Sequence, residues 1–82
     1  MDKYKVAIVD DDEVALENLS FELGKDARFF LKGTARNGKQ GKKLIAKVQP
    51  DLLFLDVELP DMTGMELLQE IRDSVSWNMR IV

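Results

Sequence analysis

The sequence predicts an α/β fold built on a parallel sheet. Two observations carry this. Short apolar runs at residues 6–9 and 52–55 are each followed at once by an acid, and segments of helical period stand between the runs. Strands that alternate with helices of about ten residues imply right-handed crossovers, which lay the strands parallel.

The elements follow in order. Val6, Ala7, Ile8 and Val9 form a continuous run rich in β-branched residues and bounded by charge, the pattern of a strand covered on both faces. Acids then fill positions 10–13, where they suit the positive end of a helix dipole. Val14, Leu16, Leu19 and Leu23 fall at helical spacing, and Gly24 is a stop signal. Residues 29–35 read as a second, weaker strand, and Asn37-Gly38 has the composition of a hairpin turn. Residues 40–48 form an amphipathic helix, with Leu44, Ile45 and Val48 on one face, that ends at Pro50. The third strand, at 52–55, leads to Asp56. Residues 59–64 are loop chemistry, and Met65, Leu67, Leu68 and Ile71 mark a third helix. A fourth strand begins at Met79 and runs to Val82. The order is β-α-β-α-β-α-β in one small domain, residues 1–82.

Composition narrows the chemistry. The chain has neither Cys nor His, which removes thiolate and imidazole catalysis and their metal sites. Any chemistry must use carboxylates, Lys, Arg, hydroxyls or backbone groups. The net charge of −3 argues against general nucleic-acid binding. No segment approaches the roughly 20 apolar residues that span a bilayer, and the first apolar run is too short for a signal-peptide core. A cytoplasmic location is expected. The basic stretch of Arg36, Lys39, Lys42, Lys43 and Lys47 reads as a solvated helix face, and Met62, Met65 and Trp77 read as packing.

The acids are the informative residues. Asp10 and Asp11 follow the first strand and Asp56 follows the third. Ligands of open α/β sheets bind beyond the carboxyl ends of strands, so neighbouring first and third strands would bring these carboxylates together. Clustered negative charges repel unless a cation joins them, and an all-oxygen ligand set favours Mg²⁺ or Mn²⁺. A carboxylate beside such an ion can accept a phosphoryl group. Each acid taken alone also has a plainer reading as a turn former or helix cap.

Three segments, Val6-Ala7-Ile8-Val9-Asp10-Asp11-Asp12, Ala35-Arg36-Asn37-Gly38 and the long run from Pro50 through Asp56-Val57-Glu58-Leu59-Pro60-Asp61-Met62-Thr63-Gly64 to Leu68, together resemble the receiver domain of bacterial two-component response regulators. The resemblance runs through the whole chain. It implies a flavodoxin-like doubly wound parallel sheet, incomplete here, with four strands in the order 2-1-3-4. It implies that Asp56 is the phosphoacceptor, served by a sensor histidine kinase. Asp10 and Asp11 would hold Mg²⁺ together with Asp56 and the backbone carbonyl of Glu58, and Pro60 and Gly64 would shape the adjoining loop. The triple Asp leaves Asp11-Asp12 as another pairing, although strand spacing favours Asp10-Asp11.

A complete receiver has five strands and five helices, so residues 1–82 correspond to its N-terminal two-thirds. The family's Ser or Thr past the fourth strand and Lys after the fifth have no counterpart in this chain. The expectation is a phosphoacceptor module, not an enzyme, that acquires phosphate slowly or not at all in this form. Nucleic acid would be reached only through an output domain outside these residues. An open edge at Met79 to Val82 and uncovered sheet surface around Val6, Ile8 and Phe54 predict self-association. Two alternatives stand beside this one: a non-phosphorylatable self-associating scaffold, and a phosphohydrolase with an aspartate nucleophile. Asp56-Val57-Glu58-Leu59-Pro60 imitates the Asp-x-Asp-x-Thr signature of the latter only loosely.

Overall fold

The structure, a computed structural model, describes residues 3–82. Its elements are β1 (Tyr4–Val9), α1 (Glu13–Gly24), β2 (Phe29–Ala35), α2 (Gly38–Val48), β3 (Leu52–Leu55), α3 (Gly64–Ile71) and β4 (Arg80–Ile81). The strands form one sheet in the order β2-β1-β3-β4, parallel throughout. This is the alternation and strand order expected of the sequence. β1 starts two residues before its apolar run. Lys5 and Asp51 explain the extension: Lys5 N–H donates to the Asp51 carboxylate at 2.8 Å, and Asp51 N–H donates to the Lys5 carbonyl at 2.8 Å.

Strand alternation sorts the apolar side chains onto two faces. Ala7, Val9 and Leu53 are fully buried on one face, against Ile45 of α2 and Leu67 and Ile71 of α3. Val6 and Ile8 lie on the other face beneath Leu16 and Leu23 of α1. They are sealed, contrary to the expectation that they contribute to uncovered surface. Phe54 on that same face is only half-buried, because α1 alone covers it among the described helices.

The helices start where side chains meet their free N–H groups. Asp12 caps α1, its carboxylate accepting from Val14 N at 3.0 Å and Ala15 N at 3.4 Å. Asn37 caps α2, accepting from Gln40 N at 2.8 Å. Asn37-Gly38 is therefore a helix start rather than a hairpin turn. Thr63 and Glu66 form a reciprocal capping box on α3. α2 ends with Gln49 in the left-handed region at φ 51°, followed by the buried Pro50.

Two apolar residues fall off the faces assigned to them by spacing. Val14 is 63% exposed and Met65 is 66% exposed. Each sits in the first turn of its helix, on the side turned from the sheet. Met62 does pack against the core. Trp77 lies at the core's margin, its indole N–H donating to the Pro50 carbonyl at 2.7 Å. The lysines at 39, 42, 43 and 47 are exposed, as expected of a solvated face. β4 is shorter than its apolar run and pairs only Arg80 with Leu52 and Ile81 with Leu53.

Candidate metal centre

The register between β1 and β3 brings the acids together. Val6 pairs with Leu52 and the ladder continues to Val9 with Leu55. One residue further on, both strands end in Asp. Asp56 N–H donates to the Val9 carbonyl at 2.9 Å, and Asp10 N–H donates to the Ala35 carbonyl of β2 at 3.0 Å. Both backbones are thus held by the sheet while both side chains stand at its carboxyl end. Oxygens of Asp10, Asp11 and Asp56 all lie within 4.8 Å of one another.

Asp12 stands outside this group because its carboxylate is spent on α1. The geometry therefore gives the cluster to Asp10 and Asp11 and the helix cap to Asp12. Asp10 is half-buried, and its Oδ1 accepts from Asp12 N at 2.9 Å. Burial pushes the Asp10 carboxyl above its ordinary value. The hydrogen bond from Asp12 opposes that shift, and the charge of Asp56 adds to it. Asp11 is exposed, and its backbone carbonyl accepts from the Arg36 guanidinium at 3.4 Å.

The donor set fits a hard divalent ion. It offers oxygen only, from side chains on two adjacent strand ends, with an excess of negative charge. A cleft of about 260 Å³ adjoins Asp10 and Asp56. Ile8, Leu19, Phe54 and Val82 wall it, and no lysine or hydroxyl residue lines it.

The loop after β3 is a narrow hairpin. Glu58 bridges to Thr63 in antiparallel fashion, and Leu59 N–H donates to the Met62 carbonyl at 2.9 Å. Pro60 and Asp61 form its exposed tip. The Glu58 side chain is exposed and lies outside the carboxylate cluster. Gly64 is buried directly behind the acceptor position, and any Cβ there would collide with the Asp56 carbonyl oxygen. Its N–H donates to the Val57 carbonyl at 2.8 Å. Gly64 thus has a steric reason to lack a side chain.

Two polar contacts escape a reading of the sequence. One is the Arg36 bond to Asp11. The other is Asp61, whose carboxylate accepts from Gly38 N at 2.7 Å and Lys39 N at 3.0 Å. Nothing in local spacing announces either, since each joins residues more than 20 positions apart.

Curated relatives and solved structures agree with this architecture. The chain is 42% identical over 71 residues to a protein-glutamate methylesterase/protein-glutamine glutaminase of Geobacillus kaustophilus, a match covering 87% of this chain and 20% of that protein. It is 41% identical over 75 residues to the probable C4-dicarboxylate response regulator DctR of Bacillus subtilis, covering 85% of this chain and 31% of the relative. Its fold superposes on the signal receiver domain of the putative response regulator NarL from Mycobacterium tuberculosis with a TM-score of 0.88 at 26% identity. That match covers 99% of this chain and 64% of the other. The chain thus spans between a fifth and a third of the length of these curated relatives. The sequence profile described as the response regulator receiver domain matches residues 6–82, which, with the sheet order and the fold match, places this chain in the receiver domain family.

Proposed function

We propose that this chain is the phosphoacceptor part of a two-component signalling protein, and that Asp56 takes the phosphoryl group. The observation that supports this best is the convergence of Asp10, Asp11 and Asp56 within 4.8 Å in a chain of the receiver family. In the proposed reaction an Asp56 carboxylate oxygen forms a bond to phosphorus as the P–N bond of a kinase's phosphohistidine breaks. Asp10 and Asp11, with Asp56 and the Glu58 carbonyl, would hold Mg²⁺ or Mn²⁺. Such an ion supplies positive charge against the phosphoryl oxygens. Asp10 and Asp56 are fixed through their backbones, so this chain's own contribution is orientation. The adjoining cleft offers no lysine or hydroxyl, so charge neutralisation rests on the metal and transfer to this 82-residue polypeptide is slow. A cytoplasmic location fits the proposed kinase partner. Among the described residues no helix is long and apolar enough to cross a membrane.

The test is incubation with a small phosphodonor, with and without Mg²⁺, followed by intact-mass measurement. One phosphoryl adduct that needs the metal and disappears in Asp56→Asn is expected. An adduct that survives in Asp56→Asn, or none after prolonged incubation with Mg²⁺, overturns the assignment and favours the scaffold reading. Steady turnover of a phosphate ester would favour the phosphohydrolase reading instead.

A further proposal concerns self-association. Ile81 and Val82 are 40% and 61% exposed beside the half-buried Phe54, and the outer edge of β4 carries no partner strand among the described residues. A second copy of this polypeptide fits that edge, because strand pairing would satisfy the free backbone groups and cover the apolar side chains.

A further inference from the structure

The first turn of α2 presents three N–H groups with no intrahelical acceptor, those of Gly38, Lys39 and Gln40. The helix's own cap, Asn37, serves only Gln40. The other two donate to Asp61, which sits at the tip of the loop that follows the acceptor strand. This carboxylate therefore joins two separate β-α units. The fit beside it is close: a Cβ on Gly38 would strike the side chain of Met62. The same loop is tied on its other side by Thr63 and Glu66 to α3, and across itself by the Glu58–Thr63 bridge. Glu58 thus lies on a hairpin whose tip is anchored to one helix and whose base is anchored to another.

We propose that Asp61 is a positioning residue for the metal centre. By gripping the N-terminus of α2 it fixes the hairpin that carries the Glu58 carbonyl, and divalent-cation affinity at Asp10, Asp11 and Asp56 depends on it although it belongs to a different part of the molecule. This rests on the function proposed above. The physical reason is pre-organisation. A backbone carbonyl on a free loop must be ordered at the moment of binding, and that cost is subtracted from affinity. One on an anchored loop is ordered in advance. Asn37 supplies the internal control, since it caps the same helix but makes no hydrogen bond to the hairpin. Weakening α2 as such and releasing the hairpin are therefore separable.

The experiment is a Mg²⁺ titration of the 82-residue chain followed by amide NMR at Asp10, Asp11 and Asp56, alongside thermal unfolding. The variants are Asp61→Ala, Asp61→Asn and Asn37→Ala. Asp61→Ala is expected to raise the Mg²⁺ Kd about tenfold, the lower end of what supporting residues contribute at metal sites. Its Gly38 and Lys39 amide resonances should move even without metal. Asp61→Asn keeps one acceptor oxygen and is expected to fall between parent and Asp61→Ala; it carries the comparison should Asp61→Ala fail to fold. Asn37→Ala is expected to lower the melting temperature while leaving the Kd within about twofold of the parent, because a helix cap adds stability without touching the metal ligands. Unchanged affinity in both Asp61 variants overturns the proposal, and so does a loss in Asn37→Ala as large as that in the Asp61 variants. Parent protein whose Asp10, Asp11 and Asp56 amides ignore Mg²⁺ would remove the metal-dependent function itself, an outcome distinct from the other two.

Discussion

Asp10 carries an electrostatic cost in the metal-free protein. Its folded pKa is raised above the reference value of 3.8, first by burial and then by the charge of Asp56. For an acid with a raised folded pKa, the penalty is absent below 3.8 and grows as pH rises through the folded value. Asp10→Asn, which keeps the oxygen that accepts from Asp12 N, should therefore be more stable than the parent at neutral pH without divalent ions. The gain is at most about 1 kcal/mol, the scale for partly exposed charges. It should shrink below pH 4 and reverse in saturating Mg²⁺, where the parent alone gains; thermal melts across pH and metal concentration measure this. Asp61 has the opposite sign. Its hydrogen bonds from Gly38 and Lys39 lower its carboxyl, so its contribution is present above 3.8 and fades as pH falls through the folded value. The two aspartates also differ in legibility. Asp10 and Asp56 are visible in the sequence because each ends an apolar run. Asp61 is not, because its partners come from another β-α unit and its neighbours Pro60 and Thr63 suggest only a turn. The choice between Asp10-Asp11 and Asp11-Asp12 was likewise open in the sequence; the cap made by Asp12 on α1 separates them.

At the scale of elements, β3 and α3 meet at a point with no spare volume. Gly64 opens α3 against the Asp56 carbonyl, while Thr63 and Glu66 close the capping box around it. Gly64→Ala must push α3 away from the end of β3. The expected loss is about 1–3 kcal/mol, the usual scale for overpacking, with a parallel loss of Mg²⁺-dependent shifts at Asp56. Denaturant unfolding and the NMR titration report the two effects, and a Gly64→Ala protein as stable as the parent would contradict the steric account. The apolar runs located β1, β2 and β3 because period and burial agree there. Helix starts were less legible. Asn37-Gly38 has the same composition whether it turns a hairpin or caps a helix, and only the amphipathic pattern that follows favours the cap. Val14 and Met65 misled for a related reason: in a first turn, apolar spacing is counted before the helix has chosen its face. The Thr63-to-Glu66 spacing did carry a capping-box signature, one that apolar periodicity alone overlooks.

Across the whole molecule, the two faces of the sheet are unequal. α2 and α3 seal one, whereas α1 alone covers the other, leaving Phe54, Ile81 and Val82 partly open. Sedimentation of this polypeptide at micromolar concentration should show concentration-dependent dimers. Ile81→Lys, which places a charge on the free edge of the sheet, should shift the population to monomer by about tenfold or more, since pairing would bury that charge. A parent that stays monomeric sinks the proposed edge contact and leaves the metal chemistry untouched. The sheet also separates two signals. Trp77, the sole tryptophan, is bonded to Pro50 at the amino end of β3, whereas Asp56 stands at the carboxyl end of that strand. Indole emission is consequently a private gauge of unfolding: it should redden when the chain melts yet stay dark to cation binding, so that a single cuvette can follow stability while a second probe follows the ion.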